Sequence, residues 1–176
     1  MPNEKFKNRF RIPSARATGH NYNAGTYFVT ICTQNREHYF GEIQKGEMIL
    51  SEMGIIAKQC LKDIPSHFQH VKVPLSVVMP NHVHAIVIID SIYDRPVETQ
   101  NFASLQFGPQ SKNLASIIRG FKIGVKKYAT LNAIPFAWQT RFHDHIVRNT
   151  DELNRIATYI QNNVAQWESD RYHDLP

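Results

Sequence analysis

The sequence predicts a single α+β domain, an antiparallel sheet with helices packed on one face, ferredoxin-like in outline. Segments rich in β-branched and aromatic residues dominate its first half, and helical patterns lie among and after them. The chain has 176 residues, of which 42% are hydrophobic and 20% charged, and this composition suits one core. It contains no internal repeat and no long low-complexity tract. We therefore expect residues 1–176 to form one domain.

The first half of the chain predicts an arm, a strand, a hairpin and a helix. Residues 1–22 are polar and basic and predict an N-terminal arm. Residues 26–34, TYFVTICTQ, have the composition of a strand. Residues 42–51 predict a hairpin that turns at Lys45-Gly46. We expect a helix to begin at Ser51 and to stop near Pro65.

Residues 71–90 predict two strands joined by a tight turn, because two apolar runs flank the turn pair Pro80-Asn81. Side chains alternate across a strand, so the second strand places His82 and His84 on one face. Residues 91–112 are then polar and predict a mobile loop.

The second half of the chain predicts two helices around an extended segment. Over residues 112–128 the apolar side chains fall on one stripe at helical spacing. Residues 137–149, AWQTRFHDHIVRN, are extended in character. Asn149 followed by Glu152 resembles a capping box, which opens a helix over residues 150–167. The predicted buried stripe of this helix consists of Leu153, Ile156, Ala157, Ile160 and Val164.

Positive charge is concentrated in two places, and the formal net charge is +5. A localised basic surface is typical of a protein that binds a polyanion. The alternative is a solvated basic surface that keeps the protein in solution. The candidate phosphate-binding residues are Lys5, Lys7, Arg9, Arg11 and Arg16 in the arm, and Arg119, Lys122, Lys126 and Lys127 in the first helix of the second half.

The sequence favours a cytoplasmic protein with no membrane partner. The N-terminal residues lack the apolar segment of a signal peptide, and the longest apolar run is far shorter than a membrane span. Cys32 and Cys60 are isolated and have neither metal-binding nor redox spacing, which fits a reducing compartment.

The motif MPNHVH, residues 79–84, predicts a candidate metal site. Two positions on a strand span about 6.6 Å and their side chains point the same way, so His82 and His84 are able to converge on one cation. Their neighbours are apolar, and burying both histidines without partners would be unfavourable. The alternative is a pair of buried or surface histidines that hold no ligand.

Two further features could belong to a site. His143 and His145 have the same spacing, but Asp144 between them points away on an extended segment, so we expect surface, DNA-facing or supporting residues. Tyr159 lies off the centre of the buried stripe of its helix, with Asn163 one turn later. Its hydroxyl is then able to reach a neighbour, and the alternative is an aromatic ring packed at the helix edge.

Four segments together resemble the single-tyrosine HUH transposases, and most of all the REP-associated tyrosine transposases. They are VVMPNHVHAIVII, IIRGFK, AWQTRFHDHIVRN and RIATYIQNN, and the similarity runs in a consistent order from Gly25 to Trp167. The resemblance implies the HUH endonuclease architecture, a divalent metal (Mg or Mn) on His82 and His84, and Tyr159 as the nucleophile. It also implies that Asn163 completes the metal site. Asn163-Val164 stands where the family often has Asn-Pro, so the helix is expected to continue past this point.

The resemblance implies a metal-dependent endonuclease that nicks single-stranded DNA at hairpin-forming sequences and transfers strands through a 5′-phosphotyrosine. Its implied partner is single-stranded or hairpin DNA of the nucleoid, bound by a monomer or a homodimer. Two other functions stay open. One is a domesticated protein that binds DNA hairpins without cutting them. The other is a hydrolase that activates water on a metal, although such sites usually have more carboxylate ligands than this motif offers.

Overall fold

An antiparallel sheet and three helices form the part of the chain that the structure describes. The structure is a computed structural model, and it describes residues 5–6, 9–10, 20–91, 113–170 and 172–173. The strands in chain order are β1 Lys5–Phe6, β2 Arg9–Phe10, β3 Gly25–Cys32, β4 Gly41–Gln44, β5 Glu47–Leu50, β6 Val71–Val78, β7 His82–Ile89 and β8 His143–Val147. The helices are α1 Glu52–His67, α2 Leu114–Leu131 and α3 Thr150–Asn162, with single helical turns at Gln34–Arg36 and Trp167–Ser169.

The main sheet has the strand order β6-β7-β3-β8, and every neighbouring pair is antiparallel. β7 is an inner strand and is buried along nearly its whole length, which explains its continuous apolar composition. β4 and β5 form the predicted hairpin, with Lys45 and Gly46 at positive φ in its turn. The predicted α+β class is therefore confirmed.

The core lies between one face of the sheet and the pair α1 and α2. Val83, Ala85 and Val87 of β7 join buried side chains of both helices in one cluster. Both helices begin at side-chain caps, since Ser51 accepts a hydrogen bond from the Gly54 amide and Asn113 forms a capping box with Ser116. α3 lies against the other face of the sheet, where it packs over β6 and β7, so the prediction that the helices pack on one face holds for α1 and α2 and is wrong for α3.

α1 ends near Pro65, as predicted, whereas the predicted end of α3 is wrong. α1 includes Pro65 and ends at His67, because a proline in the last turn removes only one backbone hydrogen bond. α3 ends at Asn162 rather than at residue 167, and the chain then continues in turns. Within its predicted buried stripe Ile160 is buried and the other members are half-buried. The next element, the turn Trp167–Ser169, packs its tryptophan back against the sheet, so the chain has to leave the helix axis.

Part of the predicted arm and loop lies outside the described residues. Lys5 and Arg9 belong to β1 and β2, which pair with each other. Lys7, Arg11, Arg16 and nearly all of the loop predicted at residues 91–112 lie outside the described ranges. Within those ranges, no helix combines the length and the apolar character that crossing a bilayer requires.

Candidate functional site

Two buried imidazoles face each other at the start of β7. The Nε2 atoms of His82 and His84 are 3.0 Å apart, and both side chains are 0% exposed. The β3–β7 register places Cys32 beside His82 and Thr30 beside His84. The prediction that the two histidines share one face of a strand is therefore confirmed.

Each imidazole is oriented through its other ring nitrogen. The Asn81 amide nitrogen donates to the Tyr172 carbonyl (2.8 Å), so its amide oxygen is the atom that lies 2.8 Å from His82 Nδ1. Because an amide oxygen only accepts, His82 Nδ1 carries the hydrogen and the Nε2 lone pair points towards His84. Thr30 Oγ1 lies 2.8 Å from His84 Nδ1 and fixes that ring in turn. Imidazoles held in this way are typical of metal ligands.

The Tyr159 phenol of α3 reaches the histidines of its own chain. Its oxygen lies 3.2 Å from His84 Nε2, and it donates to Asp170 Oδ2 at 3.2 Å. Burial, followed by the negative charge of Asp170, raises the pKa of Tyr159 to about 12. The phenol is therefore protonated at neutral pH in this arrangement, with a carboxylate as its hydrogen-bond acceptor.

Asp170 brings a carboxylate to the site that the sequence did not predict. Its Oδ1 accepts from the Tyr172 amide (2.7 Å) and its Oδ2 from the Asn163 side-chain nitrogen (2.7 Å). His82, His84 and Asp170 offer three ligand atoms that all lie within 4.8 Å of one another. The other side-chain atom of Asn163, the oxygen Oδ1, is buried and has no hydrogen-bond partner among the described residues. Two imidazoles, a carboxylate and an unsatisfied amide oxygen suit a divalent cation.

The segment after α3 covers the histidines and leaves a cleft beside the phenol. The rings of Trp167 and Tyr172 have centroids 6.0 Å and 4.7 Å from that of His82. The cleft has a volume of about 360 Å³ and is lined by Phe28, Tyr159, Asn163, Gln166, Ser169 and Asp170. A ligand that enters this cleft meets the phenol and the carboxylate together.

The predicted basic strip lies on α2, across the sheet from the histidines. The Lys122 ammonium donates to the carbonyls of Gln139 (2.7 Å) and Arg141 (3.1 Å), and Lys126 donates to the carbonyl of Phe136. Burial lowers the pKa of Lys122 to about 8. These two lysines therefore hold the segment that leads into β8, and the structure does not bring them to the candidate site.

A groove of about 670 Å³ runs beside the same strip. Arg119 and Lys127 are exposed at its rim, and Trp138 and Phe142 contribute apolar surface to its lining. The groove combines positive charge with apolar surface on the helix side of the sheet.

His143 and His145 lie exposed on β8, on the same face of the sheet as the buried pair. His143 pairs with Thr30 and His145 pairs with Phe28, both on β3. His145 Nε2 is 2.7 Å from Glu152 Oε1 in the first turn of α3. The group of three potential metal ligands found among the described residues does not include either of them.

Comparison with known proteins places the chain in a family and assigns its fold. No protein-family model matches the sequence. The chain is 37% identical to an uncharacterized protein of Haemophilus influenzae over 166 residues, which cover 91% of this chain and 92% of the relative. The solved structure of a REP-associated tyrosine transposase bound to a REP hairpin superposes with a TM-score of 0.58 at 18% identity, covering 87% of this chain and 74% of that one.

The fold that the sequence resemblance implied is thus confirmed. A described part with a four-stranded antiparallel sheet flanked by helices matches that solved structure across most of its length. The chain belongs to one family with the Haemophilus influenzae protein, and its fold is that of the REP-associated tyrosine transposase.

Proposed function

We propose that the protein is a metal-dependent, transposase-type enzyme that nicks and transfers single-stranded DNA at hairpin-forming sequences, with Tyr159 as the nucleophile. The observation that carries the proposal is the phenol oxygen 3.2 Å from His84 Nε2, inside a cluster suited to a cation. The structure with the same fold is that of a transposase bound to a REP hairpin, which supports hairpin DNA as the partner.

His82, His84 and Asp170 would hold the divalent cation, with the Asn163 side-chain oxygen as a further ligand. Imidazole and oxygen ligands suit Mn²⁺ at least as well as Mg²⁺. When bound, such a cation supplies Lewis-acid stabilisation of the charge that builds on the scissile phosphate.

The Tyr159 oxygen attacks the phosphorus, and the bond between phosphorus and the 3′ oxygen breaks as the new bond forms. Asp170, which already accepts the phenol hydrogen bond, takes the proton of Tyr159. The departing oxygen gains a proton from solvent and becomes a free 3′-hydroxyl. The 5′-phosphotyrosine linkage conserves the free energy of the broken phosphodiester bond, so attack by a 3′-hydroxyl on this linkage releases the tyrosine and rejoins strands without ATP.

The basic residues of the arm would bind the phosphate backbone, and the exposed basic residues of α2 would do so at a distance from the site. Arg119 and Lys127 are exposed and lie across the sheet from Tyr159, which suits contacts to a hairpin stem rather than to the reacting phosphate. The phenol and both imidazoles meet within one chain, which supports a monomer as the reacting unit, with a homodimer as the alternative. We propose that the protein acts in the cytoplasm, on the DNA of the nucleoid.

The test is incubation with a labelled single-stranded hairpin and Mn²⁺, followed by a denaturing gel. Wild type is expected to give a covalent protein–DNA band that EDTA abolishes, and Tyr159→Phe is expected to bind the hairpin but to give no band. Tyr172→Phe is the matched control, because this second tyrosine also packs against both histidines.

Each competing function predicts another pattern on the same gel. A protein that only binds hairpins gives neither cut DNA nor a covalent band. A metal-dependent hydrolase gives cut DNA with no covalent band. A covalent band that persists in Tyr159→Phe would mean that another residue is the nucleophile.

A further inference from the structure

Among the described residues, the face of the sheet that carries the histidines is covered on one half and open on the other. α3 packs over β6 and β7, whereas β8 is the edge strand on the far side of β3. The cross-strand row at this level runs from His84 through Thr30 to His143, because Thr30 pairs with both histidines. An exposed histidine of β8 thus lies two strands, or about 10 Å, from the buried pair on the same face.

Phe28 connects the open half to the nucleophile. Its ring centroid is 5.1 Å from that of His84 and 6.0 Å from that of Tyr159. Its side chain is half-buried, it lines the cleft beside the phenol, and its other cross-strand partner is His145. An aromatic ring therefore lies between the reacting hydroxyl and the exposed edge of the sheet.

The charge along β8 favours an anionic ligand. Arg141 lies two residues before His143 and is exposed, whereas Arg148 follows the strand in step with Asp144 and so alternates to the opposite face. Asp144 alternates to the opposite face, where its partner Val29 belongs to the core. The carboxylate of Glu152 is held by His145 and by the Arg148 backbone amide. The face from Phe28 to His143 therefore presents an aromatic ring and an imidazole beside the exposed Arg141.

We propose that this open half, formed by Phe28, His143 and Arg141, binds the single-stranded DNA next to the scissile phosphate, with one nucleobase stacked on Phe28. The inference rests on the proposed function and extends it from the reacting atoms to the strand that flanks them. Base–aromatic stacking tolerates any sequence, and arginines hold phosphates in the same way along any strand. His145 is not part of this surface, because its bond to Glu152 ties β8 to the first turn of α3 and so positions the Tyr159 helix.

The surface is tested by binding and by cross-linking, both without metal, so that neither readout depends on catalysis. The probes are two labelled DNAs, a blunt hairpin and the same hairpin with a single-stranded flank. Phe28→Leu keeps apolar bulk but removes the ring, and His143→Ala removes an exposed side chain. Each variant is expected to bind the flanked probe about tenfold more weakly than wild type, because one stacking or phosphate contact is lost. Its affinity for the blunt hairpin should not change.

The control variant is His67→Ala, an exposed histidine at the end of α1 in the helix layer on the opposite face. It should bind both probes as wild type does. In wild type, 5-iodouracil in the flank should cross-link to the peptides that contain Phe28 or His143. Wild-type affinity of both variants for the flanked probe, or cross-links confined to α2, would overturn the proposal.

The failure of this inference and that of the proposed function are distinguishable. If wild type forms the Tyr159-dependent band but both variants bind the flanked probe normally, the surface is wrong and the nucleophile stands. If the variants bind the flanked probe weakly but wild type never forms the covalent band, the surface is confirmed as a binding site and the proposed chemistry is wrong.

Discussion

At the scale of single residues, Thr30 orients one of the two histidines of the proposed metal site. Its hydroxyl is buried, 1% exposed, and lies 2.8 Å from His84 Nδ1, the nitrogen that faces away from the proposed metal. A ligand imidazole that loses such a partner loses its fixed orientation and its preferred tautomer.

Thr30→Val is the substitution that isolates this contact, because valine keeps the shape and removes the hydroxyl. We expect a loss of about 1–3 kcal/mol in the free energy of unfolding, since the buried His84 Nδ1 loses its hydrogen bond to the Thr30 hydroxyl. We also expect Mn²⁺ affinity to fall by about 10–100-fold. Urea unfolding and calorimetric titration with Mn²⁺ measure the two effects.

Thr130→Val is the matched control, since this hydroxyl on α2 is exposed and donates to the Lys126 carbonyl of its own helix. It should change the free energy of unfolding by less than about 0.5 kcal/mol and leave Mn²⁺ binding unchanged. If Thr30→Val binds Mn²⁺ as tightly as wild type, the histidine pair is not the metal site that we describe.

The residue scale also shows where sequence reasoning succeeds. His82, His84 and Tyr159 were predictable because a strand and a helix have fixed periods that assign each side chain a direction. Asp170 was not, because it follows the helix end in a turn, where no period constrains the chain. The available signal was its neighbours Trp167 and Tyr172, two large aromatic residues that have to be buried somewhere in an otherwise polar tail.

At the scale of elements, we expect glycine-to-alanine substitution to have opposite effects on the free energy of unfolding at two helix positions. A Cβ on Gly54 of α1 would lie 2.1 Å from the Phe40 carbonyl oxygen, so the helix approaches the backbone more closely than alanine permits. A Cβ on Gly120 of α2 would lie 3.7 Å from the Phe68 ring, which is an ordinary contact.

We therefore expect Gly54→Ala to lower the free energy of unfolding by about 1–3 kcal/mol through overpacking. Gly120→Ala should raise it by up to about 1 kcal/mol, because alanine favours the helix. Thermal and urea unfolding of the two variants measure the difference. Equal effects in the two variants would mean that α1 does not dock on Phe40 as described.

Lys122 ties α2 to the segment before β8 and gives this contact a pH dependence. Its pKa is lowered to about 8 in the folded chain from 10.5, so between these values the unfolded state binds more protons. The free energy of unfolding of wild type should therefore rise with pH over this window, relative to that of Lys122→Met, which lacks the titrating group. A constant difference between the two from pH 8 to 10.5 would contradict the burial of this ammonium.

The same contact separates structural from DNA-binding lysines on α2. Because two carbonyls occupy the Lys122 ammonium, Lys122→Met should weaken hairpin binding less than Lys127→Met does. Lys127 is exposed on the same helix and makes the matched comparison. Its loss should also reduce the slope of log affinity against log salt by about 1, as expected for one phosphate contact.

At the scale of the whole molecule, local pattern predicted the elements and long-range packing decided how they meet. The strand–turn–strand around Pro80 and the hairpin at Lys45-Gly46 formed as predicted, because their turn chemistry is local. The position of α3 on the histidine face was not predictable, since it follows from contacts such as that of Phe28 with Tyr159 between distant segments. The early end of α3 has the same origin, because the tail returns to bury Trp167 against the sheet.

The central claim is that one phenol of this fold becomes covalently joined to DNA, and mass spectrometry of the trapped complex tests it most directly. Trypsin cleaves after Arg155 and Arg171, so Tyr159 is the sole tyrosine of the peptide 156–171 and Tyr172 falls in the next peptide. After incubation with hairpin DNA and Mn²⁺ and nuclease trimming, we predict a nucleotide 5′-phosphate on Tyr159 in peptide 156–171. A nucleotide on Tyr172 or on any other peptide would contradict the account. So would a reaction in which the DNA is cut but no peptide of the protein carries a nucleotide.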